Sequence, residues 1–127
     1  MAFVWKTNES NTSIVSLYET NITLNKAACH HFENVNYVLL GIDEDAYSIG
    51  IKPVTKDAID QSLYPPHQLY RLSIGKSYGR ITNKPFVNEL KHMLSLDFNK
   101  QNCYKFLAHY DIVHDILIVD FKGGPLS

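Results

Sequence analysis

The sequence has little of what marks a membrane protein, a disulfide scaffold or a polycation. Its purely apolar runs, Tyr37 to Leu40 and Ile116 to Val119 among them, fall far short of the roughly 20 residues a membrane-spanning helix needs. Residues Met1 to Ser10 carry one lysine followed by polar residues and lack the long apolar centre of a secretory signal, so a cytoplasmic location and no membrane partner are expected. The two cysteines, Cys29 and Cys103, are 74 positions apart with no CxxC pair, which argues against a disulfide framework or a cysteine-rich zinc site. Net charge is also scarce. Twelve basic against thirteen acidic side chains leave -1, excluding the cationic surface of an indiscriminate nucleic-acid binder.

What is present is an ordinary globular composition, 45% hydrophobic and 20% charged over 127 residues, enough for a single domain. Within it the chain repeats itself. The strand-like Ser13 to Tyr18 is followed by polar Glu19-Thr20-Asn21, by Ile22-Thr23-Leu24, and by Asn25-Lys26 opening a helical segment. Leu69 to Ile74 is followed by a turn from Gly75 to Gly79, by Arg80-Ile81-Thr82, and by Asn83-Lys84, 58 positions after the first Asn-Lys. The same offset carries Ala28, Cys29, Phe32 and Val35 onto Phe86, Val87, Leu90 and Met93, one apolar stripe drawn twice. Asn25 and Asn83 read as N-caps, because a short side-chain oxygen there accepts a hydrogen bond from the unpaired first-turn amides.

Each helix leads to an apolar hairpin, Tyr37 to Ile42 with Tyr47 to Lys52, and Tyr104 to Tyr110 with Ile116 to Phe121, the second copy now displaced by 67. Between the copies Pro53 to Gln68 reads as a linker with a helical turn at Lys56 to Leu63 ended by Pro65-Pro66. The expected fold is therefore α+β, mostly β: one domain over 1–127, with repeat one about 13–53, a linker about 54–68 and repeat two about 69–122. Neither repeat buries enough surface alone, so the two ββαββ units should share one pseudo-twofold core. Its expected members are Ile14, Leu24, Phe32, Leu39, Ile49, Ile51, Leu72, Ile81, Phe86, Leu90, Leu107 and Ile118.

A strand, a turn, a short second strand ending in a helix, then a hairpin is the order of AbrB-like proteins, and Ser13 to Pro53 resembles it, through Ile22 to Lys26 before the helix and Tyr37 to Lys52 after it. Two copies in one chain resemble the MraZ-like members, whose duplicated units form an intramolecular swapped-hairpin barrel. The resemblance implies a transcription regulator that contacts DNA through basic residues around each unit's strand-to-strand turn and helix start. In repeat one that region holds only Lys26. Repeat two supplies Arg71, Lys76, Arg80 and Lys84, including both arginines of the chain. Residues 1–66 carry a net -4 and residues 67–127 a net +3, so repeat two is the expected phosphate-contacting half. These four form the candidate nucleic-acid-binding set, with double-stranded DNA as the partner. Solvated surface charge is the alternative account of them, and a protein-interaction or scaffolding barrel without DNA binding is the alternative function. Exposed hairpin edges suit a homodimer or another protein partner, though pairing within the chain would satisfy them equally.

Catalysis finds no support in the sequence. His30-His31 occupy adjacent helical positions about 100° apart, a poor chelating pair. His109, Asp111 and His114 near one hairpin end, and the acidic turn Asp43-Glu44-Asp45, read more simply as hydrated tips. Cys29 falls on the apolar stripe, where cysteine acts as a small hydrophobe, and no GxSxG, GxGxxG or phosphate loop occurs. No enzyme, catalytic residue, metal or cofactor is expected. Tyr64, Tyr70, Tyr78, Tyr104 and Tyr110 interleave with the basic residues of repeat two, which suits nucleic-acid or protein contact as well as core packing.

Overall fold

The computed structural model describes residues 2–4 and 12–126, so most of the N-terminal stretch Met1 to Ser10 lies outside the described residues. Eight strands form the body: β1 (Ile14–Tyr18), β2 (Asn21–Asn25), β3 (Tyr37–Asp43), β4 (Ser48–Val54), β5 (Tyr70–Ile74), β6 (Tyr78–Thr82), β7 (Cys103–Asp111) and β8 (Ile116–Asp120). Three short helices join them. These are α1 (Lys26–Cys29), continued by a 3-10 turn at His30–Phe32, then α2 (Lys56–Asp60) and α3 (Lys84–Leu94). The expected linker turn is α2, with a second 3-10 turn at Pro66–Gln68 beyond it.

All strand pairs are antiparallel, and the strands close into a barrel in the order β1-β2-β6-β5-β3-β4-β8-β7. Closure gives every strand two neighbours, so the hairpin edges are satisfied within the chain. Around the ring the hairpins come alternately from the N-terminal and C-terminal halves. Neighbouring hairpins meet at four joints, β2–β6, β5–β3, β4–β8 and β7–β1, and each joins one half of the chain to the other. Most of the pairing that closes the barrel is thus long-range in sequence, a topology that folds slowly.

Period-two alternation decides what fills the interior. Val15, Leu17, Ile22, Leu24, Val38, Ile49, Ile51, Leu72, Ile81, Phe106, Leu117 and Val119 are buried there. The helices add the duplicated stripe: Ala28, Cys29 and Phe32 from the first, Phe86, Val87 and Leu90 from the second, with Val35 and Met93 packed against the same cluster. Both caps form as expected, Asn25 Oδ1 accepting from Ala28 N at 3.0 Å and Asn83 Oδ1 from Phe86 N at 2.9 Å. Gly79 lets α1 come close to β6, because a Cβ there would lie 2.9 Å from Cys29 Sγ.

Three expected core residues lie elsewhere. Leu107 is 47% exposed, and Leu39 and Ile118 are half-buried outside the core cluster. Each sits one position from a buried neighbour, Val38, Phe106, Leu117 or Val119, so a one-residue phase error turns them outward. The hairpin turns fix that phase. Asp43 Oδ1 accepts from Ala46 N at 3.0 Å and Asp111 Oδ1 from His114 N at 3.2 Å, and Tyr47 and Asp115 both adopt left-handed backbone, φ 53° and 58°. These equivalences, like the buried faces, run at an offset of 68 rather than 67.

Candidate nucleic-acid interface

Strands β1, β2, β6 and β5 contain no acidic residue. Their outward positions therefore build a wall of hydroxyls, amides and cations. In register, Thr23 faces Arg80, which faces Ser73, while Asn21 faces Thr82. The β5–β6 pairing continues to place Arg71 on the outward face with Ser73, since Leu72 between them is buried. Arg71 and Arg80 thus share one side of adjacent strands.

Arg80 is held by its own strand. Its Nη2 donates to Tyr78 Oη at 3.4 Å, and its guanidinium carbon lies 5.4 Å from the centroid of the Tyr78 ring, a cation–π arrangement that leaves the remaining donors outward. Across the strand Thr23 Oγ1 donates to Asn21 Oδ1 at 3.0 Å. Tyr18, Asn21, Thr23, Tyr78 and Arg80 line a shallow depression of about 360 Å³. Burial, then the neighbouring Cys103, pushes the Tyr18 phenol up, against the pull of Arg80. Arg80 thus sits beside hydrogen-bonding groups that suit an anionic or polar ligand.

The two lysines mark the ends of β6. Lys76 is in the β5–β6 turn and lines a cleft of about 480 Å³ with Lys26, Cys29, His30, Glu33 and Ile74. Lys84 opens α3 directly after its cap Asn83. All four expected basic residues are exposed, and among the described residues the ion pairs are His30–Glu33 and Asp111–His114 only. Among the described residues no carboxylate pairs with any of the four. Lys26, left aside because its own repeat is acidic, is brought by the fold to the cleft of Lys76. Its signal was the shared Asn-Lys dipeptide at 25–26 and 83–84.

The other candidates separate. Asp111 Oδ2 meets His114 Nδ1 at 2.8 Å, which holds the Asp111 carboxyl below its ordinary range, and among the described residues no three histidine, cysteine or acidic side chains are grouped to hold a metal ion. Cys29 is buried, its Sγ 3.6 Å from Leu24 O, and burial pushes its thiol up, against a nucleophilic role. His31 stacks on Tyr110 with centroids 4.1 Å apart, and burial lowers its affinity for a proton. No helix among the described residues is long and apolar enough to cross a membrane. Against known protein families, curated proteins and solved structures alike, the chain has no significant match.

Proposed function

We propose that the protein is a cytoplasmic DNA-binding module of the AbrB/MraZ-like, swapped-hairpin kind, acting in transcription regulation, with two ββαββ units related by a pseudo-twofold axis. The ring order supports the symmetry: exchanging β1 to β4 with β5 to β8 leaves every neighbour relation unchanged. Equivalent caps and equivalent hairpin turns support it further. The DNA reading is carried by one observation, a wall of four strands without acidic residues that bears Arg71 and Arg80, with which no carboxylate among the described residues pairs. Lys76 and Lys84 extend the positive stripe past both ends of β6, a strand of roughly 17 Å, so that successive phosphates along one backbone can be met. No catalytic residue and no cofactor enter this reading.

Fluorescence anisotropy of a labelled duplex tests it, with random sequence beside the gene's own upstream region, at about 50 mM and about 150 mM salt. Binding should weaken steeply with salt. The double variant Arg71→Ala/Arg80→Ala should bind about tenfold more weakly at low salt, with the salt slope shallower by about two counterions. Absence of binding at low salt, or an unchanged double variant, overturns the proposal. A protein-interaction role is the second reading, favoured by Ile112 and Val113, 81% and 88% exposed at the β7–β8 tip. Partner binding there would resist salt and be lost in Ile112→Ser/Val113→Ser.

A further inference from the structure

On the opposite wall β3 and β4 pair two glycines directly, Gly41 against Gly50. Gly50 has a reason within the chain, since a Cβ there would lie 3.0 Å from Ile116 Cγ2. Gly41 has none: an added Cβ would meet nothing within 4 Å, and its backbone does not enter the positive-φ region. Glycine in a strand interior weakens the strand and often marks a bulge, a bend at a barrel corner or a place where a ligand or another backbone comes close. The space above it is a trough of about 510 Å³ lined chiefly by Leu39, Tyr70 and Ile116, with Lys52 on its wall. That volume is in the range of small-molecule sites.

Lys52 supplies the second observation. Its Nζ donates to His114 O at 2.8 Å and Asp115 O at 3.4 Å, which fixes the ammonium beside the β7–β8 hairpin. Among the described residues no carboxylate pairs with it. An ammonium has three N–H donors, so one is left for an anion. We propose that this trough binds a small planar aromatic carboxylate, its ring lying over the Gly41–Gly50 pair and its carboxylate accepting from Lys52 Nζ. A flat ring matches a floor without side chains, and the apolar walls remove its faces and edges from water. The site centres on β3 and β4, with Tyr70 of β5 at its edge and neither Arg71 nor Arg80 in its lining, and it does not depend on DNA binding.

The test uses the full-length protein, isotopically labelled, titrated by two-dimensional NMR with 1-naphthoate and with the uncharged 1-naphthalenemethanol. Naphthoate should give saturable shifts centred on Gly41, Gly50 and Ile116, and the alcohol should bind about tenfold more weakly. Lys52→Met should reproduce that tenfold loss. Gly41→Val, whose Cβ would meet nothing within 4 Å and which adds strand propensity, should abolish binding while leaving thermal unfolding intact. Arg71→Ala/Arg80→Ala should bind naphthoate as the parent does, which separates this site from the DNA reading. Equal binding of alcohol and acid, full binding by Gly41→Val, or shifts centred on the Arg80 wall would each overturn the proposal. So would ligand-free shifts of Gly41 and Gly50 that grow with protein concentration, because a second copy would then occupy the trough.

Discussion

The barrel has two walls that agree inside and differ outside. Inward, β1-β2-β6-β5 contributes Val15, Leu17, Ile22, Leu24, Leu72 and Ile81, and β3-β4-β8-β7 contributes Val38, Ile49, Ile51, Phe106, Leu117 and Val119, all buried. Outward, the first wall shows Thr23, Arg71, Ser73 and Arg80, whereas the second shows an apolar strip of Leu39, Gly41, Gly50, Leu107 and Ile118 beside Lys105, His109 and Asp120. Closure of the ring needs only the inward set. The outward set is free to carry recognition, and it carries two chemistries: donors and positive charge on one wall, an apolar trough with one cation on the other.

The largest expected effect tests whether inward and outward are rightly assigned on the apolar wall, where adjacent residues of β7 are both large hydrophobes. Phe106 is 2% exposed and its ring meets Phe121 edge-on with centroids 4.7 Å apart. Phe106→Ala should cost about 3–5 kcal/mol by removing buried area and leaving a cavity. Leu107→Ala, one residue on but exposed, should cost no more than about 0.5 kcal/mol. Urea unfolding of the two variants measures both. A reversal of their order would mean that β7 is paired one residue out of register with β1 and β8.

An intermediate effect separates two caps that the sequence makes look alike. Asn25 Oδ1 accepts from Ala28 N and also from Ile14 N, each at 3.0 Å, while its Nδ2 donates to Thr12 O at 2.7 Å. It therefore ties the start of β1 to the start of α1. Asn83 caps Phe86 N alone among the bonds its side chain is seen to make. Asn25→Ala should cost about 2 kcal/mol and Asn83→Ala about 1 kcal/mol, read from the same urea transitions. Equal losses would show that the bridge to β1 adds nothing beyond the cap.

The polar wall was the more legible one, and the reason is contrast. In Asn21 to Asn25 and Tyr78 to Thr82, polar and apolar side chains alternate, so the period gives both the strand and its phase. Tyr37 to Ile42, Cys103 to Tyr110 and Ile116 to Val119 have apolar residues on both faces, so alternation gives a strand without a phase. Leu39, Leu107 and Ile118 were misplaced there for that reason, and the trough stayed hidden because Gly41 faces Gly50 only once the phase is known. The apolar stripe from Ala28 to Phe32 was legible because its residues recur at helical spacing, although Val35, expected to extend it, lies beyond the 3-10 turn that ends at Phe32. The ring order was not legible, since no local pattern states which hairpin lies beside which. For the candidate interface, the sequence yielded the four basic residues, but not that Lys26 shares a cleft with Lys76 across the two halves.

The smallest effect expected is in alkaline stability, and it again sets one wall against the other. Each has a tyrosine whose phenol the fold pushes up. On the apolar wall burial, then the Asp115 carboxylate that accepts its hydroxyl at 2.8 Å, raises Tyr110 to about 12. On the polar wall burial and Cys103 raise Tyr18, while Arg80 opposes the rise. A group whose folded pKa lies above its unfolded value, about 10 for tyrosine, adds stability that is complete below pH 10 and is lost as pH rises through the folded value. Stability should therefore fall between about pH 10 and pH 12 by an amount held below about 1 kcal/mol by solvent screening. Tyr110→Phe should flatten that limb more than Tyr18→Phe does, and Asp115→Asn should flatten it in part, because burial remains when the carboxylate is neutralised. Urea midpoints at successive pH values give the slopes. If Tyr18→Phe flattened the limb more, the guanidinium of Arg80 would not be stabilising the Tyr18 phenolate, and Arg80 would stand farther from Tyr18 than a shared depression requires.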